Sequence, residues 1–219
     1  MRFPLMSAVL LALAACAPHA TNASEPSTAG DAVAVDAPLT AVPEGHKTAV
    51  VAGGCFWCIE SDLEKLEGVT EVLSGYAGGE RSNPTYQQVS SHQTEHIEVV
   101  QVIYNPDVVT YEALTERFWH SIDPTQADGQ FCDRGHQYTT AIFTSDPAER
   151  AIVEAQKVQY AEQLGQTIAT DIRDDATFWP AEEYHQDYYK KNASHYLRYR
   201  TGCGRDRQVE RVWGSVVAH

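Results

Sequence analysis

The sequence predicts an α/β fold of the α+β two-layer sandwich kind, with a ferredoxin-like β-α-β-β-α-β core and a C-terminal extension. Three observations carry that expectation. Four short apolar, β-branched runs alternate with two segments of helical periodicity in that order, which is the split β-α-β arrangement. Gly and Pro punctuation falls between the runs rather than inside them. The stretch from residue 47 to residue 219 is long enough for one domain with a sizeable core, and it contains no long internal repeat.

Residues 47–52, KTAVVA, form a short apolar run ending in Gly53-Gly54, a buried strand entering a tight turn. From Cys55 onward, Ile59, Leu63 and Leu66 recur at helical spacing until Gly68 stops the pattern. VTEVLSGYAGG reads as a second strand and the β-branched HIEVVQVIY as a third. Thr110 opens TYEALTERFWHSI, in which Leu114, Phe118 and Ile122 share one apolar face. YTTAIFT is the fourth strand. Asp146-Pro147-Ala148-Glu149 then supplies an N-cap, a proline at the first helical position and a capping-box glutamate. That helix is expected to stop at Gly165. TIATDIR reads as a further strand and AEEYHQDYYKK as a short helix.

The N-terminal segment has a different character. MRFPLMSAVLLALAAC places Arg2 before an apolar run of the length of a secretory h-region, too short to span a bilayer. The run ends in Leu13-Ala14-Ala15-Cys16, which resembles a bacterial lipoprotein cleavage box. Residues 1–15 are therefore expected to be a signal peptide and Cys16 a lipid-attachment site. Residues 17–46 hold four prolines, many small residues and no aromatic ring, so 16–46 read as lipid site plus flexible tether. Residues 47–219 form the folded domain. Ala17 is not the aspartate of inner-membrane retention, which tilts the expected location to the periplasmic side of the outer membrane. A formal net charge of −14 argues against nucleic acid and against electrostatic attraction to anionic lipid, leaving the anchor as the membrane contact. A solvated acidic surface and a monomeric chain are expected.

Four further cysteines remain: Cys55, Cys58, Cys132 and Cys203. In an exported chain the default reading is two structural disulfides, but a domain of this size does not need such staples. Cys55 follows a strand and a Gly-Gly turn and falls at the first turn of a helix. Free N–H groups and the helix dipole there favour a thiolate, and Gly54 lets another molecule approach the sulfur. Cys55 is thus a nucleophile, with Phe56 and Trp57 beside it. Cys58 lies one helical turn on, within disulfide reach.

GGCFWC, SGYAGG, NPTY, HIEVVQVIYNP, DPTQ, GHQYTTAIF and FWPAEEYHQDYY, in that order, resemble the A-type peptide-methionine (S)-S-oxide reductases over about residues 47–213. The resemblance implies that Cys55 attacks the sulfur of methionine sulfoxide, free or in oxidised proteins, and becomes a sulfenic acid. Phe56, Trp57 and Gly54 would receive the substrate, the two rings enclosing its methyl group. It also implies that Glu98 supplies the proton, that Tyr86 and Tyr138 hydrogen-bond the sulfoxide oxygen, and that Asp133 is a carboxylate near the site. Burial in an apolar strand would keep Glu98 protonated. A second thiol must then form a disulfide. Cys203, between Gly202 and Gly204 in a segment free to swing, is expected as first resolver, with Cys58 as alternative or relay; Cys132 reads as a buried inert thiol. The family requires no metal or cofactor, and a thioredoxin or thioredoxin-like protein is the expected reductant.

Two other readings compete. Cys-x-x-Cys at a β-α junction is also the hallmark of a thiol–disulfide oxidoreductase. Cys55, Cys58, Cys132 and His136 have zinc-like spacing, although the first pair opens a helix and the gap between pairs is long. His185 and His195, set among tyrosines, read as packing of a C-terminal segment on the core.

Overall fold

The computed structural model describes residues 41–214. In chain order the elements are β1 (Lys47–Gly53), α1 (Phe56–Leu63), β2 (Val69–Ala77), α2 (Tyr86–Ser90), β3 (Ile97–Tyr104) and α3 (Tyr111–Trp119). Then follow β4 (Gly129–Gln130), β5 (Asp133–Arg134), β6 (Thr140–Phe143), α4 (Pro147–Leu164), β7 (Asp171–Arg173), β8 (Trp179–Pro180), α5 (Tyr188–Lys191), α6 (Ala193–Cys203) and α7 (Arg205–Trp213). The main sheet runs β7-β6-β1-β3-β2-β8. Its four inner strands are the predicted ones in ferredoxin-like order, paired antiparallel: β1 with β3 and β6, and β3 with β2. The expected α/β two-layer core is therefore present, with β7 added parallel to β6 and β8 added to β2.

Each predicted boundary has a visible cause. Asp146 caps α4 by accepting from the N–H groups of Ala148 and Glu149, Pro147 starts it, and Gly165 ends it in the left-handed conformation. Thr110 caps α3 through the Ala113 N–H. Val51, Val100, Val102, Ile142, Leu114, Phe118, Ile59 and Leu63 are all almost wholly buried and form the seam between sheet and helices. β3 lies between β1 and β2, so it is covered on both faces and reads as a near-continuous apolar run.

The C-terminal part departs from expectation. The strand read at TIATDIR is confined to Asp171–Arg173, and the stretch 181–191 holds a single turn at Glu183–His185 followed by the short α5. Asp187 between them is left-handed, with φ 53°. Two further helices, α6 and α7, cover the site. Cys203 is the last residue of α6, and Gly204, left-handed at φ 73°, joins the two helices. The resolving segment is thus a helix junction, not a loose tail. Weak amphipathic contrast hid α6: Tyr196 and Arg200 alone on it are fully buried.

Glu60 ties these layers together. It is 1% exposed on α1, and its carboxyl accepts from Ser74 Oγ on β2 at 3.2 Å and from the Asp187 N–H at 2.8 Å. Burial pushes its pKa from 4.5 up to about 8. A carboxyl whose folded value lies above its unfolded value stabilises fully below the latter and loses that contribution as pH rises through the former. The window here is pH 4.5 to about 8. Glu60→Gln, which keeps the shape of the neutral acid, is expected to lose less melting temperature between pH 5 and pH 9 than the wild type. Equal losses in the two proteins would refute this account of Glu60.

Candidate active site

The site begins where β1 turns into α1. Arg205, 1% exposed on α7, donates both terminal nitrogens to the Gly53 carbonyl at 3.3 and 3.2 Å and one of them to the Ser121 carbonyl at 2.8 Å. Gly54 has φ 81°, and a Cβ there would meet Gln130 Cβ at 2.6 Å; a Cβ on Gly53 would meet Ile59 Cδ1 at 2.4 Å. A side chain at either glycine would therefore collide with the protein's own side chains, Gln130 at Gly54 and Ile59 at Gly53.

Cys55 is the N-cap residue of α1, 5% exposed, and Cys58 beside it is 2% exposed. Burial pushes the Cys55 thiol up, with the neighbouring Cys58 adding to the effect. Cys58 moves down, chiefly through a hydrogen bond from Cys55 and then through the positive charges of Arg205 and Arg200. The pair is thus split in opposite directions, Cys55 up and Cys58 down, and the direction on Cys55 runs against the effect expected of the helix terminus. The reason is local: the Phe56 N–H is taken by Glu98, and the Cys58 and Ile59 N–H groups point to the Cys55 carbonyl.

Glu98 projects from the central strand β3 and is 2% exposed. Its Oε2 accepts from the Phe56 N–H at 2.9 Å, but burial outweighs that bond and holds the carboxyl protonated well above the usual range. Tyr86 opens α2 behind the Thr85 capping box and is pushed up to about 12 by burial, then by Glu98. Tyr138 closes the turn His136–Tyr138 and is also raised by burial, then by Glu98 and Tyr86. Both phenols and Glu98 act electrostatically on one another, and Glu98 and Tyr86 each act on Cys55. Two carboxyl oxygens of Glu182 fix one side of this group, accepting from the Tyr86 N–H at 2.8 Å and from Tyr76 Oη at 2.9 Å. Nothing in the sequence reading singled out Glu182. Its signal lay only inside the FWPAEEYHQDYY motif.

Aromatic rings enclose the same space. Phe56 packs on Tyr76, Tyr86 and His185, with ring centroids 5.9, 6.5 and 4.9 Å apart. Trp57 stacks on Tyr188 at 3.8 Å and meets Tyr199 edge-on at 5.8 Å. His185, 1% exposed, accepts from Trp57 Nε1 at 3.1 Å, and burial lowers its pKa to about 4. It is neutral and fixes the indole. His195 is exposed and bonds the Tyr188 hydroxyl at 3.0 Å, so both histidines serve packing of the C-terminal segment.

Cys132 and Cys203 are joined in a disulfide, and Cys55 and Cys58 are free. Cys132 is exposed and Cys203 half-buried, which corrects the reading of Cys132 as a buried inert thiol. A polar residue, Asp133, follows it and opens the turn outward through β5. Tyr199 Oη donates to Asp133 Oδ2 at 2.5 Å, and the same Tyr199 acts to lower the Cys55 thiol against the larger effect of burial. Asp133 therefore stands between the free thiol pair and the disulfide. The zinc reading fails on the same geometry: Cys132 is bonded to Cys203, while His136 bonds the Glu95 carbonyl at 3.1 Å.

A thiol that shares its proton with a second thiol, faces a neutral acid and two phenols, and borders an apolar recess suits reduction of an oxidised sulfur. Plain disulfide exchange uses no such acid, so fold and site define a cysteine-dependent oxidoreductase of that class. The family model "Peptide methionine sulfoxide reductase" matches residues 47–216. The MsrA/MsrB peptide methionine sulfoxide reductase of Vibrio cholerae is 50% identical over 173 residues, covering 78% of this chain and 46% of that protein. MsrA 2 of Caulobacter vibrioides is 48% identical over 180 residues, covering 82% and 91% of the two chains. Among solved structures, reduced Mxr1 from Saccharomyces cerevisiae aligns with TM-score 0.65 and 34% identity, covering 69% of this chain and 88% of that one. Mxr1 in complex with Trx2 aligns with TM-score 0.50 and 27% identity, over 69% and 91%. The chain belongs to the peptide methionine sulfoxide reductase family, as an A-type oxidoreductase that reduces methionine sulfoxide.

Proposed function

We propose that this reductase acts on the S-epimer of methionine sulfoxide, free and in oxidised proteins, through a Cys55 sulfenic acid. The observation that carries the reading is the buried Glu98 carboxyl, which accepts from the Phe56 N–H at 2.9 Å, is pushed up by burial, and acts electrostatically on Cys55, Tyr86 and Tyr138. The sulfoxide oxygen lies among the three O–H donors and the methyl group in the recess of Phe56 and Trp57. Proton delivery to the oxygen makes the sulfur electrophilic. Cys55, giving its proton toward Cys58, then bonds to it. The hydroxyl group then moves from the methionine sulfur to the Cys55 sulfur as the bond between the two sulfurs breaks, so methionine leaves with its lone pair restored and Cys55 becomes Cys–SOH. Cys203 next attacks the sulfenate, forming a Cys55–Cys203 disulfide and releasing water. Support for Cys203 as resolver comes from helix geometry: it lies four residues after Tyr199, on the same face of α6, and Tyr199 acts on Cys55 while donating to Asp133, whose Oδ2 is 3.9 Å from the Cys203 sulfur.

The test is single-turnover reduction of each epimer separately by pre-reduced enzyme. About one methionine per site should appear from the S-epimer, with the R-epimer slower by about two orders of magnitude or more. Comparable rates on both would overturn the stereochemical assignment. A dithiol protein of thioredoxin type is the natural reductant, in keeping with the solved complex of Mxr1 with Trx2. We further propose that the protein works as a monomer, exported and held through Cys16 at the outer membrane facing the periplasm. That part rests on the leader and tether motifs, which lie outside the described residues except for 41–46.

A further inference from the structure

We propose that Cys132 is the exit sulfur of an internal relay: it takes over the disulfide from the site and is the atom that the external dithiol protein attacks. This rests on the sulfenate route above. The structure holds Cys55 and Cys58 free while Cys132 and Cys203 are bonded, which is the arrangement reached after oxidation has left the catalytic cysteine.

The two sulfurs of that bond are not equivalent. Cys203 is half-buried and packs against the main core, one helical turn from Tyr199, whereas Cys132 is exposed in the turn between β4 and β5. An attacking protein thiolate must reach its target in line with the S–S bond, and accessibility selects Cys132. The leaving atom is then Cys203, whose sulfur already accepts the Cys132 N–H at 3.1 Å; the same N–H stabilises it as a thiolate. Asp133, raised by burial, lies 3.9 Å from Cys203 through Oδ2 and 3.7 Å from Cys132 through Oδ1. Its carboxyl thus lies beside both sulfurs of the bond.

The steps balance. In the Cys55–Cys203 disulfide, the Cys132 thiolate attacks Cys203; the Cys132–Cys203 bond forms and Cys55 leaves with the electron pair, taking up a proton. The donor's first thiolate then attacks Cys132, giving a mixed disulfide and freeing Cys203. The donor's second thiol attacks its own first sulfur and releases Cys132 as a thiol. Two electrons and two protons pass from donor to enzyme per methionine formed.

The experiment uses a thioredoxin whose second active-site cysteine is serine, mixed with oxidised full-length enzyme, and maps the trapped mixed disulfide by peptide mass spectrometry. The adduct is expected on Cys132; adducts on Cys203, Cys58 or Cys55 would overturn the proposal. In steady state, Cys132→Ser should lose about tenfold or more of thioredoxin-supported turnover and less than about threefold with dithiothreitol, a small dithiol that reaches a half-buried bond. Equal losses with both donors, or none, would also overturn it. Failure of wild-type enzyme to release methionine in a single turnover would instead sink the sulfenate reading, so the two failures are distinguishable.

Discussion

Replacing Cys55 with serine is expected to lower single-turnover methionine formation by about a thousandfold or more, the cost of deleting a nucleophile whose bond to substrate sulfur is the reaction itself. Cys58→Ser is the needed comparison, because Cys58 is the thiol of the pair that is moved down and is the rival for the attacking atom. Position decides against it. Glu98 acts on Cys55, and Cys55 on Tyr86, whereas the positive charges of Arg205 and Arg200 act on Cys58. In this arrangement Cys58 is the proton acceptor that readies Cys55, so Cys58→Ser should still yield about one methionine per site at a reduced rate, with its activity rising toward alkaline pH. Methionine formed by Cys55→Ser at rates close to wild type, with Cys58→Ser inactive, would reverse the two roles. Circular dichroism and melting curves of both variants separate loss of chemistry from loss of fold.

The legible parts of this chain were those written in local chemistry. Caps at Thr110 and Asp146, the stop at Gly165 and the β-branched runs specify elements through their own backbone requirements, so the ferredoxin-like core could be read in order. Cys55 was named from its place after a strand and a Gly-Gly turn, and Glu98, Tyr86, Tyr138 and Asp133 through family motifs; Glu98 acts electrostatically on Cys55, Tyr86 and Tyr138, and Asp133 on Glu98. Charge placement on the thiol pair was not legible. It depends on Arg200 and Arg205, which are about 140 residues further along the chain, and on the Glu98 carboxyl capturing a helix-start N–H. The partner of Cys203 was hidden for the same reason: a disulfide across 71 residues reflects how α6 docks beside the β4–β5 turn. Helices α6 and α7 escaped notice because they are held by contacts such as Arg200 to Asp62 at 2.8 Å and Arg205 to the Gly53 carbonyl, not by an apolar stripe.

Glu98→Gln isolates proton delivery from everything else that residue does. Glutamine keeps the size of the protonated acid and can still accept the Phe56 N–H, so melting temperature near neutral pH should change little, while kcat falls by about a hundred- to ten-thousandfold. The pH profile gives the sign. Glu98 is required in its protonated form and burial places its pKa well above 4.5, so wild-type activity should be level from acid pH to neutrality and fall as pH rises through the folded value. The same sign holds for stability: a carboxyl raised on folding contributes below its unfolded value and loses that contribution on the way up to the folded one. In Glu98→Gln both alkaline losses should shrink, leaving a slow and flatter profile carried by Tyr86 and Tyr138, whose raised values keep their hydroxyl protons in place. A variant within about threefold of wild type would show that these phenols alone protonate the leaving oxygen. An unchanged alkaline limb in the variant would assign that limb to another group, with the Cys55–Cys58 pair the first to examine.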